Sequence, residues 1–236
     1  MSQLELATLT ESSARHLSFI ETGRSRPSAK VIHRLSEALD IPLRERNELL
    51  VAAGLPAEYP ERPLDDVALA HYRRIVTRML EAHDPFPAFA IDRWWHIVEA
   101  NAAATRMFGP IDPERDMIEL TYAEGPLRAL IDNWAEVAWA GVDRLRRELA
   151  HSGGDERLAA MLERAERHLA DTPRPHPTEV AGVVCPRFRI GDQRIETVGT
   201  IMSFGTPREV VLEELRVELI FPADEKAEAF FRAMAG

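Results

Sequence analysis

The chain opens on short apolar stripes at helical spacing. Leu4, Leu6, Ala7 and Leu9 follow Ser2 and Glu5, which have the spacing of a capping box. Leu17 and Ile20, three apart, lie on one face of a second helix that is entered through Ser13 and closed by Glu21, Thr22 and Gly23. Val31, Ile32, Leu35, Ala38 and Leu39 make a third helical stripe, and LRERNELLVAAGL predicts a fourth helix that stops at Gly54. The prolines of Leu55 to Asp66 then interrupt the pattern, so that stretch reads as an extended, semi-rigid linker. Beyond it, Ala70, Ile75, Val76, Met79 and Leu80 restore the helical period over Val67 to Ala82, as a connecting helix packed on the second domain or as a dimer seam.

From there the period shortens. Phe89 and Ile91 alternate with small residues up to Asp92, the chain turns, and Ile97 to Ala100 runs back to Asn101, which can cap a helix through Phe108. Pro126 to Leu149 and Glu156 to Leu169 are amphipathic. Leu130, Trp134, Val137, Ala138, Leu145 and Leu149 form one stripe, with Arg144, Arg146 and Arg147 expected outside. Three strand-like runs close the chain: Val183 to Ile190, Arg194 to Phe204 after a turn at Gly191 and Asp192, and Leu215 to Phe221. The predicted fold class is a mainly α N-terminal unit followed by an α+β domain with a five-stranded antiparallel sheet. That order of two strands, helices and three strands resembles the PAS-like sensor folds, whose helices lie on one face of the sheet.

The second helix of the opening unit is built to be presented. Its outward positions, Ala14, Arg15, His16 and Ser18, are small or hydrogen-bonding, which suits the floor of a DNA major groove, where a guanidinium grips guanine with two hydrogen bonds. With Arg24 and Arg26 directly after it, this stretch makes residues 2 to 54 resemble helices two to five of the Cro/repressor-type helix-turn-helix of the XRE class. The resemblance implies a DNA-binding domain over residues 1–56 and double-stranded DNA as partner. Ala14, Arg15, His16 and Ser18 then lie in the groove, with Arg15 carrying the base selection, Gln3, Thr22, Arg24 and Arg26 hold phosphates, and Ser13 at the helix entry completes the DNA-binding set. Two departures stand out. The family begins with one further helix packed beneath the pair, so the expectation is a truncated unit whose longer reading frame extends upstream of Met1, itself expected to fill a core position. Glu11 and Ser12 occupy turn positions that usually hold glycine and a buried aliphatic residue.

A second resemblance covers the rest. DNWAEVAWAGVDRLRRE and FGTPREVVLEELRVELIFPAD are similar to the MmyB-like ligand-binding domain, which follows this type of helix-turn-helix in bacterial regulators. It implies a linker and connecting helix over 57–84 and a PAS-like sensor over 85–236. In such a sensor helices close a cup that takes an apolar, fatty-acyl-like molecule. Phe89, Ile91, Trp95, Ile97, Phe108, Trp134, Phe188 and Phe204 are the expected walls, with a cavity beneath Phe89, Ile97 and Trp134. The function implied is a transcriptional regulator under ligand control, acting as a homodimer. The alternative is a sensor that has lost DNA binding and acts through a protein partner.

Charge and composition refine this picture. Residues 1–56 hold seven basic and seven acidic side chains, so the whole of the net charge of −10 falls beyond them and should face away from DNA. At 236 residues and 45% hydrophobic the chain can build more than one core. It has no apolar run of membrane-spanning length and no signal-peptide pattern, and its single Cys185 excludes an internal disulfide, all fitting a reducing cytoplasm. The eight histidines are scattered, without an HExxH or paired-carboxylate setting, and there is no phosphate loop. These patterns favour a regulator without a cofactor or metal over an enzyme.

Overall fold

The structure, a computed structural model, describes residues 2–110, 112, 115–176 and 183–236. Met1 lies outside them. Helix α1, Gln3–Leu9, begins with the expected capping box: the Ser2 hydroxyl accepts from the Glu5 amide, and the Glu5 carboxylate accepts from the Ser2 amide. Helix α2, Ala14–Glu21, follows after a tight turn in which Glu11 takes φ 49°, the left-handed conformation that explains the preference for glycine there. Helices α3, Ala29–Ala38, and α4, Leu43–Ala52, complete the unit, with Gly54 at φ 78° just past the end of α4. Ala7, Leu17, Ile32, Leu43 and Leu50 form its small core. Leu6, Ile20 and Leu35 are only half-buried, while Leu4 is 70% and Leu9 62% exposed.

The linker is extended yet tied down at both ends. Asn47 of α4 donates to the Tyr59 carbonyl and accepts from the Glu58 and Tyr59 amides, and Arg62 pairs with Glu209. A short 3-10 turn, Val67–Leu69, leads into α5, Ala70–Ala82. Strands β1, Ala88–Ile91, and β2, Ile97–Ala100, form a hairpin and run into α6, Ala102–Phe108, capped by the Asn101 side chain as predicted. Then come α7, Met117–Tyr122, α8, Pro126–Leu130, α9, Trp134–His151, and α10, Glu156–His168. Strands β3, Arg187–Ile190, and β4, Gln193–Met202, form a second hairpin; α11, Val210–Glu214, β5, Arg216–Pro222, and α12, Glu225–Ala235, complete the chain.

The five strands make one antiparallel sheet in the order β2-β1-β5-β4-β3. Its faces differ from the expected one-sided packing. Phe89, Ile91, Phe188, Ile195 and Ile220 meet α6, α9 and α12 on the front. On the back, Val76 and Leu80 of α5 pack on Ala88, Ala90, Leu215 and Val217, so the connecting helix spends its stripe on the sheet. All four residues of β1 are therefore buried. The small residues that alternate with Phe89 and Ile91, Ala88 and Ala90, are the places where α5 comes close, not places that face water.

Candidate functional site

The element expected to face DNA is α2. Leu17 is buried beneath it, and Ser13 holds its first turn by accepting from the His16 amide at 3.1 Å. Arg15 is exposed and lies over the Phe19 ring at 5.3 Å, which keeps its guanidinium along the outer face. Arg24 and Arg26 are exposed in the turn after Gly23, whereas Ala14, His16 and Ser18 are half-covered. Two of the expected phosphate contacts are engaged within the protein. The Gln3 side-chain amide donates to Glu21 at 2.7 Å, and the Thr22 hydroxyl donates to the Ser18 carbonyl at 2.7 Å. Gln3 thereby joins α1 to the end of α2 and fixes the angle between the paired helices.

The expected wall residues divide among three clusters. Phe89, Ile91 and Phe188 are buried together on the front of the sheet, with Ile97, Phe108 and Trp134 packed against them and the Phe108 and Phe188 rings 5.7 Å apart. Trp95 belongs to a neighbouring cluster between α7, α9 and α10, where its indole N–H donates to Glu148 at 3.0 Å. Phe204 lies on the opposite face of the sheet, edge-on to Tyr72 of α5 at 5.7 Å. It corrects the expectation directly: two residues beyond Met202 it keeps the parity of the back-facing positions of β4, so it cannot line a cup on the front. At the expected cavity, Phe89 is buried in the front cluster, and Ile97 and Trp134 are partly buried and pack against it.

Charged groups inside the sensor were not foreseen. Arg144, expected outside α9, turns to the sheet and donates to Glu148 at 3.0 Å and to Glu218 of β5 at 2.7 Å. Arg216 pairs with Glu148 at 2.8 Å. Burial pulls the Arg216 guanidinium below its ordinary pKa, against the pull of Glu148. Tyr122 donates to the Ala138 carbonyl at 2.7 Å, and burial pushes its phenol up. The signal for this network was the alternation Arg216, Glu218 within an otherwise apolar strand, together with Arg144 and Glu148 four apart on a helix.

A further charged layer joins the two parts of the chain. Arg93, in the turn between β1 and β2 and only 8% exposed, donates to Glu214 at 2.8 Å and to Glu45 and Asp155 at 3.1 Å each. Arg44 grips Glu214 with two hydrogen bonds of 2.7 and 3.0 Å. Glu213 accepts the Leu43 amide at 2.7 Å, supplying the first turn of α4 with the cap that Pro42 cannot provide.

A helix-turn-helix joined in this way to an α+β sensor defines a regulator of transcription under ligand control. The helix-turn-helix family matches residues 1–46. The MmyB-like transcription regulator ligand binding domain matches residues 72–234, more than half of the chain, and the chain belongs to that family. No curated protein matches it. Among the described residues no helix is long and apolar enough to cross a membrane.

Proposed function

We propose that the protein is a cytoplasmic, homodimeric regulator that reads DNA through α2 and responds to an apolar, fatty-acyl-like ligand held on the front of the sensor sheet. Residues 1–56 form the DNA-binding part, 57–84 the linker and connecting helix, and 85–236 the sensor. The observation that carries the reading is the exposed basic face of α2 and its following turn, in a chain whose other family match is a ligand binding domain. Arg15 selects bases, Ala14, His16 and Ser18 lie against the groove, and Gln3, Ser13, Thr22, Arg24 and Arg26 hold the backbone. An acyl chain enters where Ile97, Phe108 and Trp134, each half-buried, move aside from Phe89, Ile91 and Phe188, so that ligand contacts replace side-chain contacts. Trp95 borders this route from the next cluster.

A gel-shift titration of the full chain with the DNA upstream of its own operon tests the first half. Salt-dependent, saturable binding to a pseudo-palindrome with half-sites about one turn, ~34 Å, apart is expected. Loss of all binding above random DNA overturns it in favour of a sensor acting through a protein partner. Thermal stability in the presence of decanoate or myristate tests the second half, with a saturable rise in Tm expected by mass action.

A further inference from the structure

A half-open cleft lies between the two parts, outside the apolar cluster. It measures about 290 Å³, at the small end of ligand sites. One wall is the start of α4 with the loop before it; the other is α9, α10, the end of α11 and the start of β5. Asp40, Glu45, Glu148, Glu213 and Glu214 line it, against the arginines Arg46, Arg93 and Arg216.

Two of these acids are well paired, Glu214 by Arg44 and Arg93 and Glu148 by Arg144 and Arg216. Arg216 is taken by Glu148, and Arg46 turns its Nε to the Ile41 carbonyl at 2.6 Å. Arg93 is shared among three carboxylates. Glu45 is 7% exposed and lends one oxygen to Arg93, while its other oxygen, Oε2, has no hydrogen-bond partner although it is fully enclosed. Beside it the Glu213 carboxyl is pushed above its ordinary pKa, first by burial and further by Glu214 and Glu45, against the Leu43 amide and Arg46. An unpaired buried carboxylate oxygen is costly unless a donor meets it.

We infer that this cleft is a second effector site, for a small molecule carrying an ammonium or guanidinium group. Its N–H donors would reach Glu45 Oε2 and the Glu213 carboxylate, and a short methylene chain would lie against Ile41, Pro42 and Leu158. Arg93 Nε also lacks an acceptor there, so amines bearing a hydroxyl or carbonyl belong to the same class. Because Glu45 belongs to the helix-turn-helix part and Glu213 to the sensor, such a ligand bridges the two and favours the arrangement in which they are docked. The site is independent of the acyl-chain reading, which uses other residues.

The test is calorimetric titration of the full chain with agmatine at fixed ionic strength, with tetramethylammonium, a cation without N–H donors, as control. One-to-one saturable binding of agmatine and none of tetramethylammonium is expected. Glu45→Gln with Glu213→Gln should weaken the affinity at least tenfold, whereas Glu225→Gln with Glu228→Gln on α12 should leave it unchanged. If the first pair fails to fold, Asp40→Asn serves, since asparagine tolerates the φ of 51° at that position; a loss of threefold or more is expected. Equal heats for the two cations, or agmatine affinity untouched by the cleft substitutions, overturns the inference. An acyl-chain response in Tm bears only on the other site.

Discussion

Asp155 shows how a single carboxylate can serve two parts of the molecule. It accepts from the Arg157 and Leu158 amides at the start of α10 and from Arg93 at the domain boundary. Burial works to raise its pKa, but those donors and the guanidinium outweigh it and hold the carboxyl below its ordinary value of 3.8. A lowered folded-state pKa means that the unfolded chain binds the proton more readily. The contribution is therefore complete above pH 3.8 and is lost as pH falls through the folded value. Asp155→Asn should lower stability at neutral pH and flatten the fall below pH 3.8 in acid titrations followed by circular dichroism. At α2 the residue-scale expectation concerns selectivity. Arg15→Ala should cost ~1 to 3 kcal/mol on the specific site and relax one base pair, while Arg26→Ala should weaken all sequences alike and reduce the salt slope by about one. Equal losses on specific and random DNA for Arg15→Ala would show that another side chain reads the base.

Among the elements, α9 carries the most unusual packing. Gly141 sits in mid-helix, where alanine is ordinarily better by about 1 kcal/mol, yet a Cβ there would overlap the Tyr122 hydroxyl and touch Trp95. Overpacking of this kind costs ~1 to 3 kcal/mol, so Gly141→Ala should be destabilising despite its better propensity. In a Tyr122→Phe background the penalty should shrink, and denaturant melts of the four proteins would give the coupling. A stabilising Gly141→Ala in the presence of Tyr122 would show that α9 can shift to make room. This close approach could not be read from the sequence, where Gly141 is only one small residue in a helical stripe. What could be read was local: the Ser2 and Asn101 caps, the stop at Gly54, and the hairpins at Gly191 and before Ile97 rest on short-range chemistry and appear where the pattern put them. Phe204 and Arg144 went wrong for a common reason. Phe204 is placed by sheet parity and by α5 covering the back face, and Arg144 by Glu218 of β5 on the face that α9 packs against, both long-range consequences of topology.

Taken as a whole, the chain is held at its middle by charge. Arg93, Arg44, Glu45, Glu214 and Asp155 interlock where the helix-turn-helix part meets the sensor, and the linker adds its own tie through Arg62 and Glu209. Surface ion pairs contribute little, but this layer is largely buried, so removing one member leaves the others uncompensated. Arg93 is the member with the most partners. Arg93→Ala should bring Glu45, Glu214 and Asp155 together without their shared cation and cost ~3 to 5 kcal/mol. The loss should fall on the docking of the two parts more than on either core, because the partners of Arg93 are the charged groups Glu45, Asp155 and Glu214 at their boundary. Scanning calorimetry would then find one cooperative transition in the unaltered protein and two in Arg93→Ala, with the lower one belonging to residues 1–56. Glu45→Gln with Glu214→Gln in the same background should restore part of the coupling, since it removes the stranded charges and keeps the shape. A single unshifted transition for Arg93→Ala would mean that the two parts are held by the linker and α4 contacts alone, and that ligand could move one without the other.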